Sequence, residues 1–417
     1  MTDTPTTLPA SGLRTLTPAA FHVTTKPRGA ICNLDCQYCF YLSKEKLYPG
    51  SDSRMSDELL EKYVRQHIEA HHVPEVTFTW QGGEPTLMGL NFFRRILELQ
   101  KKYRKPNTQI HNALQTNATT LTEGWCRFFH HNNFLLGVSI DGPRQFHDIY
   151  RVDKRGAPTF DRVMAGIALL QKHRVAFNIL TTVHAVNAGH GLQVYRFLRD
   201  EVQAQMIQFI PIVEHDNASG FQEGVTTTAR SVSGRQYGEF LIEVFDEWVR
   251  HDVGSVFVQI FDIALGVWFG QPSTLCIFAK TCGDALALEH NGDLFSCDHF
   301  VEPRHKIGNI AETPLSDLVT SPRQRKFGLD KRQSLPRYCR ECNVRFICNG
   351  GCPKDRILTT PDTKEPYLNF LCEGFKAFFS YIDRPMQIMA NLLHQRCSPA
   401  HIMPLIANNI AGKTFQV

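Results

Sequence analysis

The run FHVTTKPRGAICNLDCQYCF (residues 21–40) joins a β-rich segment, 21–27, to three cysteines spaced C-x3-C-x2-C. Cys32, Cys36 and Cys39 therefore fall on the loop that leaves the C-terminal end of the first predicted strand. Three thiolates on so short a loop can hold three irons of a [4Fe–4S] cube and leave the fourth iron open. A zinc knuckle is the plainer alternative, but a tetrahedral zinc site needs a fourth ligand and this loop carries no histidine to supply one.

Outward from that loop, β-rich runs alternate with amphipathic ones as far as Glu214. The further strand candidates are EVTFTW (75–80), IHNALQT (110–116), LLGVSID (135–141), AFNILTTV (176–183) and MIQFIPIVE (206–214). Between them, 57–71, 91–104 and 160–173 repeat apolar residues at three- and four-residue spacing, with charged residues on the remaining face. Strands alternating with helices predict a parallel sheet with right-handed crossovers. Six such units make either a doubly wound sheet or an incomplete (β/α) barrel, and in both the functional loops follow the strands' C-terminal ends. A helix is expected over 234–252 and a buried helix around 256–270. From about Cys276 to Cys372, cysteines, Gly/Asn turns and short β runs predict a second, loop-rich domain organised around metal. The expected division is a tail at 1–18, a barrel at 19–233, a helical connector at 234–270, a metal-binding domain at 271–384 and a helical tail at 385–417.

A chain of 417 residues suggests two or three domains at roughly 150 residues each. Its 42% hydrophobic content supplies a sizeable core without disulfide staples. A net charge of +4 offers no strong field for nucleic acid or an anionic membrane, and neither is expected as a partner. No run reaches the ~18 uncharged apolar residues that span a bilayer, and the Thr/Pro-rich start lacks a signal peptide's basic and apolar regions. The expected compartment is the cytoplasm, where clustered thiols bind metal or do chemistry. Thirteen cysteines, an odd number, also preclude complete disulfide pairing.

The C-x3-C-x-Tyr-C loop after the first strand of a six-unit βα series resembles the radical S-adenosylmethionine superfamily. Gln81-Gly-Gly-Glu84-Pro85 after the second strand strengthens the likeness. The resemblance implies a partial (β/α)6 TIM-type barrel in which the triplet holds an open [4Fe–4S] cluster and Gly83 and Glu84 meet the methionine end of the cofactor. Tyr38 then lies beside the adenine, and Ser139 and Arg151 contact ribose and carboxylate. Val213 supplies an apolar adenine contact. Read singly, Ser139 is a turn-former and Arg151 a solvated surface residue; the ordered set favours the cofactor site.

The distal cysteines are Cys276, Cys282, Cys297, Cys339, Cys342, Cys348, Cys352 and Cys372. Eight thiolates fit two fully ligated [4Fe–4S] clusters or two all-cysteine zinc sites. Their pattern resembles the SPASM extension of radical enzymes that modify peptides and proteins. That resemblance assigns Cys276, Cys282, Cys297 and Cys352 to the nearer cluster. It assigns Cys339, Cys342, Cys348 and Cys372 to the farther one, for three clusters in all. Cys126 and Cys397 have no place in this scheme and read as incidental thiols.

Asp298, directly after Cys297, is either a turn cap or a base beside the nearer cluster. The Cys-Asp pair, CNLDCQYCFY (32–41), Gln115-Thr-Asn117 and Ser139-Ile-Asp-Gly-Pro143 are similar to the anaerobic sulfatase-maturating enzymes. This resemblance implies oxidation of a Cys or Ser in a C/S-x-P-x-R motif to Cα-formylglycine. A 5′-deoxyadenosyl radical takes hydrogen from Cβ, Asp298 takes the thiol or hydroxyl proton, and the second electron leaves through the auxiliary clusters. The implied partners are an unfolded or nascent sulfatase and a donor such as flavodoxin or ferredoxin, with the enzyme a monomer. The alternatives are another SPASM enzyme that crosslinks a ribosomal peptide and, more remotely, a non-catalytic zinc-binding interaction protein. The sequence distinguishes neither Cys from Ser as target nor one sulfatase from another.

Overall fold

A computed structural model describes residues 20–410. Among these residues, ten strands form one open sheet. The first six are β1 (His22–Lys26), β2 (Glu75–Trp80), β3 (Gln109–Thr116), β4 (Leu135–Ser139), β5 (Phe177–Val183) and β6 (Met206–Pro211). They pair in parallel in sequence order. Helices run between the strands, and the sheet does not close, so the expected partial barrel is present.

The alternation that marks the strands is what buries them. In β2, Val76, Phe78 and Trp80 point into the core against Tyr63, Phe92 and Phe93, while Thr77 and Thr79 face the other way. The helix Asp57–Ala70 begins at Ser56, whose hydroxyl accepts from Leu59 N–H. The helix Gly234–His251 begins with a capping box between Ser233 and Gln236. Around 256–270, two residues, Phe257–Val258, form β7 beside β6 before the helix Gln259–Trp268 starts. The last predicted strand stops at Pro211; Ile212, Val213 and Glu214 continue beyond the ladder and turn across the barrel mouth, where His215 bridges Thr227.

The cysteine-rich part shares the same sheet. β8 (Ala285–Glu289) lies parallel to β1, in register from His22 opposite Ala285 to Lys26 opposite Glu289. β9 (Asp293–Phe295) and β10 (Lys306–Asn309) then extend that edge antiparallel. A second seam joins the helices Gly234–His251 and Cys372–Tyr381 through glycines. A Cβ on Gly374 would stand 1.9 Å from Gly234 O, and one on Gly238 would stand 2.7 Å from Gly374 Cα. Phe278, Phe375, Phe378 and Phe379 continue the barrel core across this seam. The helices Asp383–His394 and Ile402–Ile410 bury Met386, Met389, Ile402 and Ile406 in the same core. The expected tail at 1–18 lies outside the described residues.

Candidate active site

The C-terminal ends of β1 to β6 surround one cavity of about 420 Å³, within the range of roughly 300–1,000 Å³ usual for small-molecule sites. Cys32, Cys36, Tyr38 and Cys39 line it from the loop after β1, and Gly83 from the loop after β2. Ser139, Arg151 and Val213 line it from the later strands and their loops. The first cysteine loop is tied down along its backbone: Asp35 N–H donates to Val152 O at 2.8 Å and Gln37 N–H to Tyr150 O at 2.9 Å. That pairing lays Arg151 beside Tyr38.

Gly83 has no room for a side chain, since a Cβ there would stand 1.9 Å from Ile31 O. The turn it makes possible lets Gly83 N–H reach Gly29 O at 2.8 Å and Glu84 N–H reach Ile31 O at 2.9 Å, locking the second loop against the first. Glu84 itself is fully buried and does not line the cavity. Its carboxylate accepts from Thr86 N–H and hydroxyl, from the Thr116 hydroxyl and from Asn117 N–H at 2.7–3.1 Å. Burial raises its pKa while those donors oppose the rise. The structure thus places Glu84 behind the wall, where it fastens the second loop to the end of β3.

A residue not singled out from the sequence organises the opposite wall. Asp141, completely buried in the Ser-Ile-Asp-Gly-Pro turn, accepts from Arg151 Nε at 2.9 Å, from the Tyr38 hydroxyl and from Thr182 N–H. Burial would raise its carboxyl, but the charges of Arg151 and His147 bring it down to about 2. Arg151 also lies 5.5 Å from the Tyr38 ring centre, so one carboxylate fixes both side chains. Gln115 donates to the Ser139 hydroxyl at 2.8 Å, and Asn117 donates to Asn33 at 2.9 Å and toward Cys32 Sγ at 3.6 Å.

Burial pushes the Cys32 thiol up to about 11 and Cys36 to about 12. Without metal both stay protonated at neutral pH, so an electropositive group that displaces the protons is what the loop suits. The distal cysteines fall into two groups. Cys276 lies within electrostatic reach of Cys282, Cys297 and Cys352, and Cys339, Cys342, Cys348 and Cys372 line one pocket. Among the described residues, no three Cys, His, Asp or Glu side chains converge on a single ion. Each quartet supplies the four thiolates that a fully ligated [4Fe–4S] cluster takes.

Two buried cations, Lys331 and Arg356, stand among the eight thiols. Lys331 Nζ donates to Cys276 O and Ile277 O, and Arg356 donates to the carbonyls of Gly350, Lys331 and Asn349. Neither has a carboxylate partner among the described residues, and anionic thiolate-ligated clusters would balance them. Nothing in the sequence pattern marked either residue. Cys126 is buried in the helix Glu123–His131, and Cys397 is half-buried just after the helix Asp383–His394, its N–H donating to Leu392 O.

Asp298 follows Cys297 in the turn after β9 and pairs with Lys26 at the end of β1, 2.5 Å away. Lys26, His299 and Lys354 line the cavity; Asp298 is not among the lining residues and meets the cavity's edge through its pair with Lys26.

Residues 27–198 match the model of the Radical SAM superfamily, and residues 276–343 match that of an iron-sulfur cluster-binding domain. The barrel, its cysteine loop and the cysteine-rich extension therefore define a radical SAM protein with an auxiliary iron–sulfur domain. A serine-type anaerobic sulfatase-maturating enzyme of Bacteroides thetaiotaomicron is 47% identical over 392 residues, covering 92% of this chain and 94% of the relative. A cysteine-type enzyme of Clostridium novyi is 33% identical, covering 85% and 93%. The solved structure of native anSMEcpe with bound AdoMet and the Cp18Cys peptide superposes with a TM-score of 0.79 at 31% identity. It covers 89% of this chain and 99% of that one. SuiB of Streptococcus suis, at 15% identity and a TM-score of 0.58, shares the fold. The chain belongs to the anaerobic sulfatase-maturating enzyme family.

Proposed function

We propose that this enzyme oxidises a serine or cysteine in a C/S-x-P-x-R segment of an unfolded sulfatase to Cα-formylglycine. The observation that carries the reading is the convergence of three thiols and a polar strand-end wall on one cavity, with Asp298 paired to Lys26 at its edge. When bound, an open cluster on Cys32, Cys36 and Cys39 and S-adenosylmethionine supply the one-electron, hydrogen-abstracting chemistry.

The chain's own residues orient and shield. Tyr38 lies beside the adenine, Ser139 and Arg151 contact ribose and carboxylate, and Val213 is the apolar contact, with Asp141 fixing both Tyr38 and Arg151. Gly83 presents backbone to the methionine end, and Glu84 keeps that backbone in place. Cys276, Cys282, Cys297 and Cys352 hold the nearer auxiliary cluster; Cys339, Cys342, Cys348 and Cys372 hold the farther one. Asp298 accepts the proton from the substrate hydroxyl or thiol. The higher identity to serine-type relatives supports serine as the target. A carrier such as flavodoxin or ferredoxin supplies electrons to a monomeric enzyme in the cytoplasm.

The test is anaerobic incubation of reconstituted, reduced enzyme with S-x-P-x-R and C-x-P-x-R peptides, read by mass spectrometry. Two hydrogens should be lost from the serine peptide, with a lower yield of aldehyde from the cysteine peptide. Deoxyadenosine without aldehyde from either peptide would sink the sulfatase reading.

A further inference from the structure

Lys26 is a lysine where a parallel barrel strand would ordinarily carry an uncharged residue. It is 1% exposed, yet it borders the cavity. Burying an ammonium is costly unless a counter-charge meets it, and here the counter-charge is Asp298. The two are far apart in sequence and meet because β8 pairs with β1, which lets the β8–β9 hairpin deliver Asp298 to the end of β1.

The ammonium is enclosed on its other sides. The Tyr41 ring centre lies 4.3 Å from Nζ, and the Tyr41 hydroxyl bonds Glu289, the β8 residue opposite Lys26, which keeps the ring in place. A Cβ on Gly82 would stand 3.4 Å from Lys26 Cα and Cβ, so the loop after β2 closes over the lysine stem. Asp298 Oδ1 is buried and receives no aligned hydrogen bond, so the lysine charge is what it faces. The Asp298 side chain is nevertheless 22% exposed, and that exposure belongs to its atoms other than Oδ1.

We propose that Lys26 is a positioning residue for the proton-transfer step. It pins Oδ1 and holds the carboxylate in one rotamer, which leaves Oδ2 to take the proton from the substrate hydroxyl or thiol. The inference rests on the reading of Asp298 as the base. The proton passes from the substrate heteroatom to Oδ2; Lys26 neither gains nor loses one.

The experiment compares Lys26→Met, Lys26→Arg, Asp298→Asn and the Met/Asn double variant as reconstituted full-length enzymes. Iron content, cofactor affinity, deoxyadenosine and aldehyde are each measured with an S-x-P-x-R peptide. Lys26→Met should keep iron and cofactor affinity within about twofold, yet form at least tenfold more deoxyadenosine per aldehyde. Lys26→Arg should restore most of the coupling. Adding Lys26→Met to Asp298→Asn should cost less than a further twofold, because one residue acts through the other. An unchanged deoxyadenosine-to-aldehyde ratio in Lys26→Met, or losses that multiply in the double variant, would overturn the proposal. Loss of iron or cofactor binding in Lys26→Met would overturn it too, by making the lysine part of the scaffold. Full aldehyde yield from Asp298→Asn alone would instead remove the base reading beneath it.

Discussion

Asp141 shows how a single carboxylate can govern a cofactor wall. It is fully buried, and it is the acceptor that Tyr38 and Arg151 share. Removing its charge leaves a buried guanidinium without its ion partner, a change that typically costs about 3–5 kcal/mol. Asp141→Asn should therefore lower the melting temperature of the reconstituted enzyme and weaken S-adenosylmethionine binding at least tenfold by calorimetry. Unchanged affinity would mean that Tyr38 and Arg151 hold their places without it. Glu84→Gln should behave differently: the amide keeps the shape and trades a charged acceptor for a neutral one in front of four donors. A loss of about 1–3 kcal/mol in stability is expected, with deoxyadenosine formation per folded enzyme within about threefold of wild type. The sequence made the thiols and Arg151 legible because they sit in spaced motifs. It left Asp141 unread although it lies two residues from Ser139, since nothing local says that a turn aspartate is buried under an arginine.

At the scale of elements, the parallel strands were legible because each is short, β-rich and bounded by a helical pattern. β2 matches its predicted bounds, and the others differ by one to three residues at their ends. What periodicity could not reveal is long-range pairing. β8 belongs beside β1 because of a register between residues far apart in sequence, and two-residue β7 is too short to carry any pattern. The helix seam is a similar case, visible only once Gly234, Gly238 and Gly374 face one another. Gly374→Ala forces a methyl group into Gly234 O, an overpacking expected to cost at least about 1–3 kcal/mol. Denaturant unfolding should show that loss, while Gly270→Ala, where a Cβ meets nothing within 4 Å, should cost less. Part of any Gly270 effect would come from its positive φ of 94°.

Taken whole, the molecule buries groups that neutral pH leaves quiet and acid does not. Burial holds His67 down to about 3, and His147 and His184 to about 4. In the unfolded chain each takes a proton near pH 6.5; in the fold each resists it. Their contribution to stability is thus complete above about pH 6.5 and drains away as pH falls toward 4. Each pH unit in that window weighs roughly 1.4 kcal/mol per histidine. Urea midpoints measured at pH 7.0, 6.0 and 5.0 should fall progressively, and a flat profile would show that these rings titrate normally. Lys331 and Arg356 have a different consequence. A chain that has not received its iron carries two buried cations facing protonated thiols, with no carboxylate partner among the described residues to answer them. Chelation under anaerobic conditions should therefore open residues 276–372 to limited proteolysis while the 57–183 region stays resistant, and an identical digest pattern would refute this. In the cell, such a chain is an unfinished product that proteases can recognise, so its lifetime becomes a gauge of the iron supply.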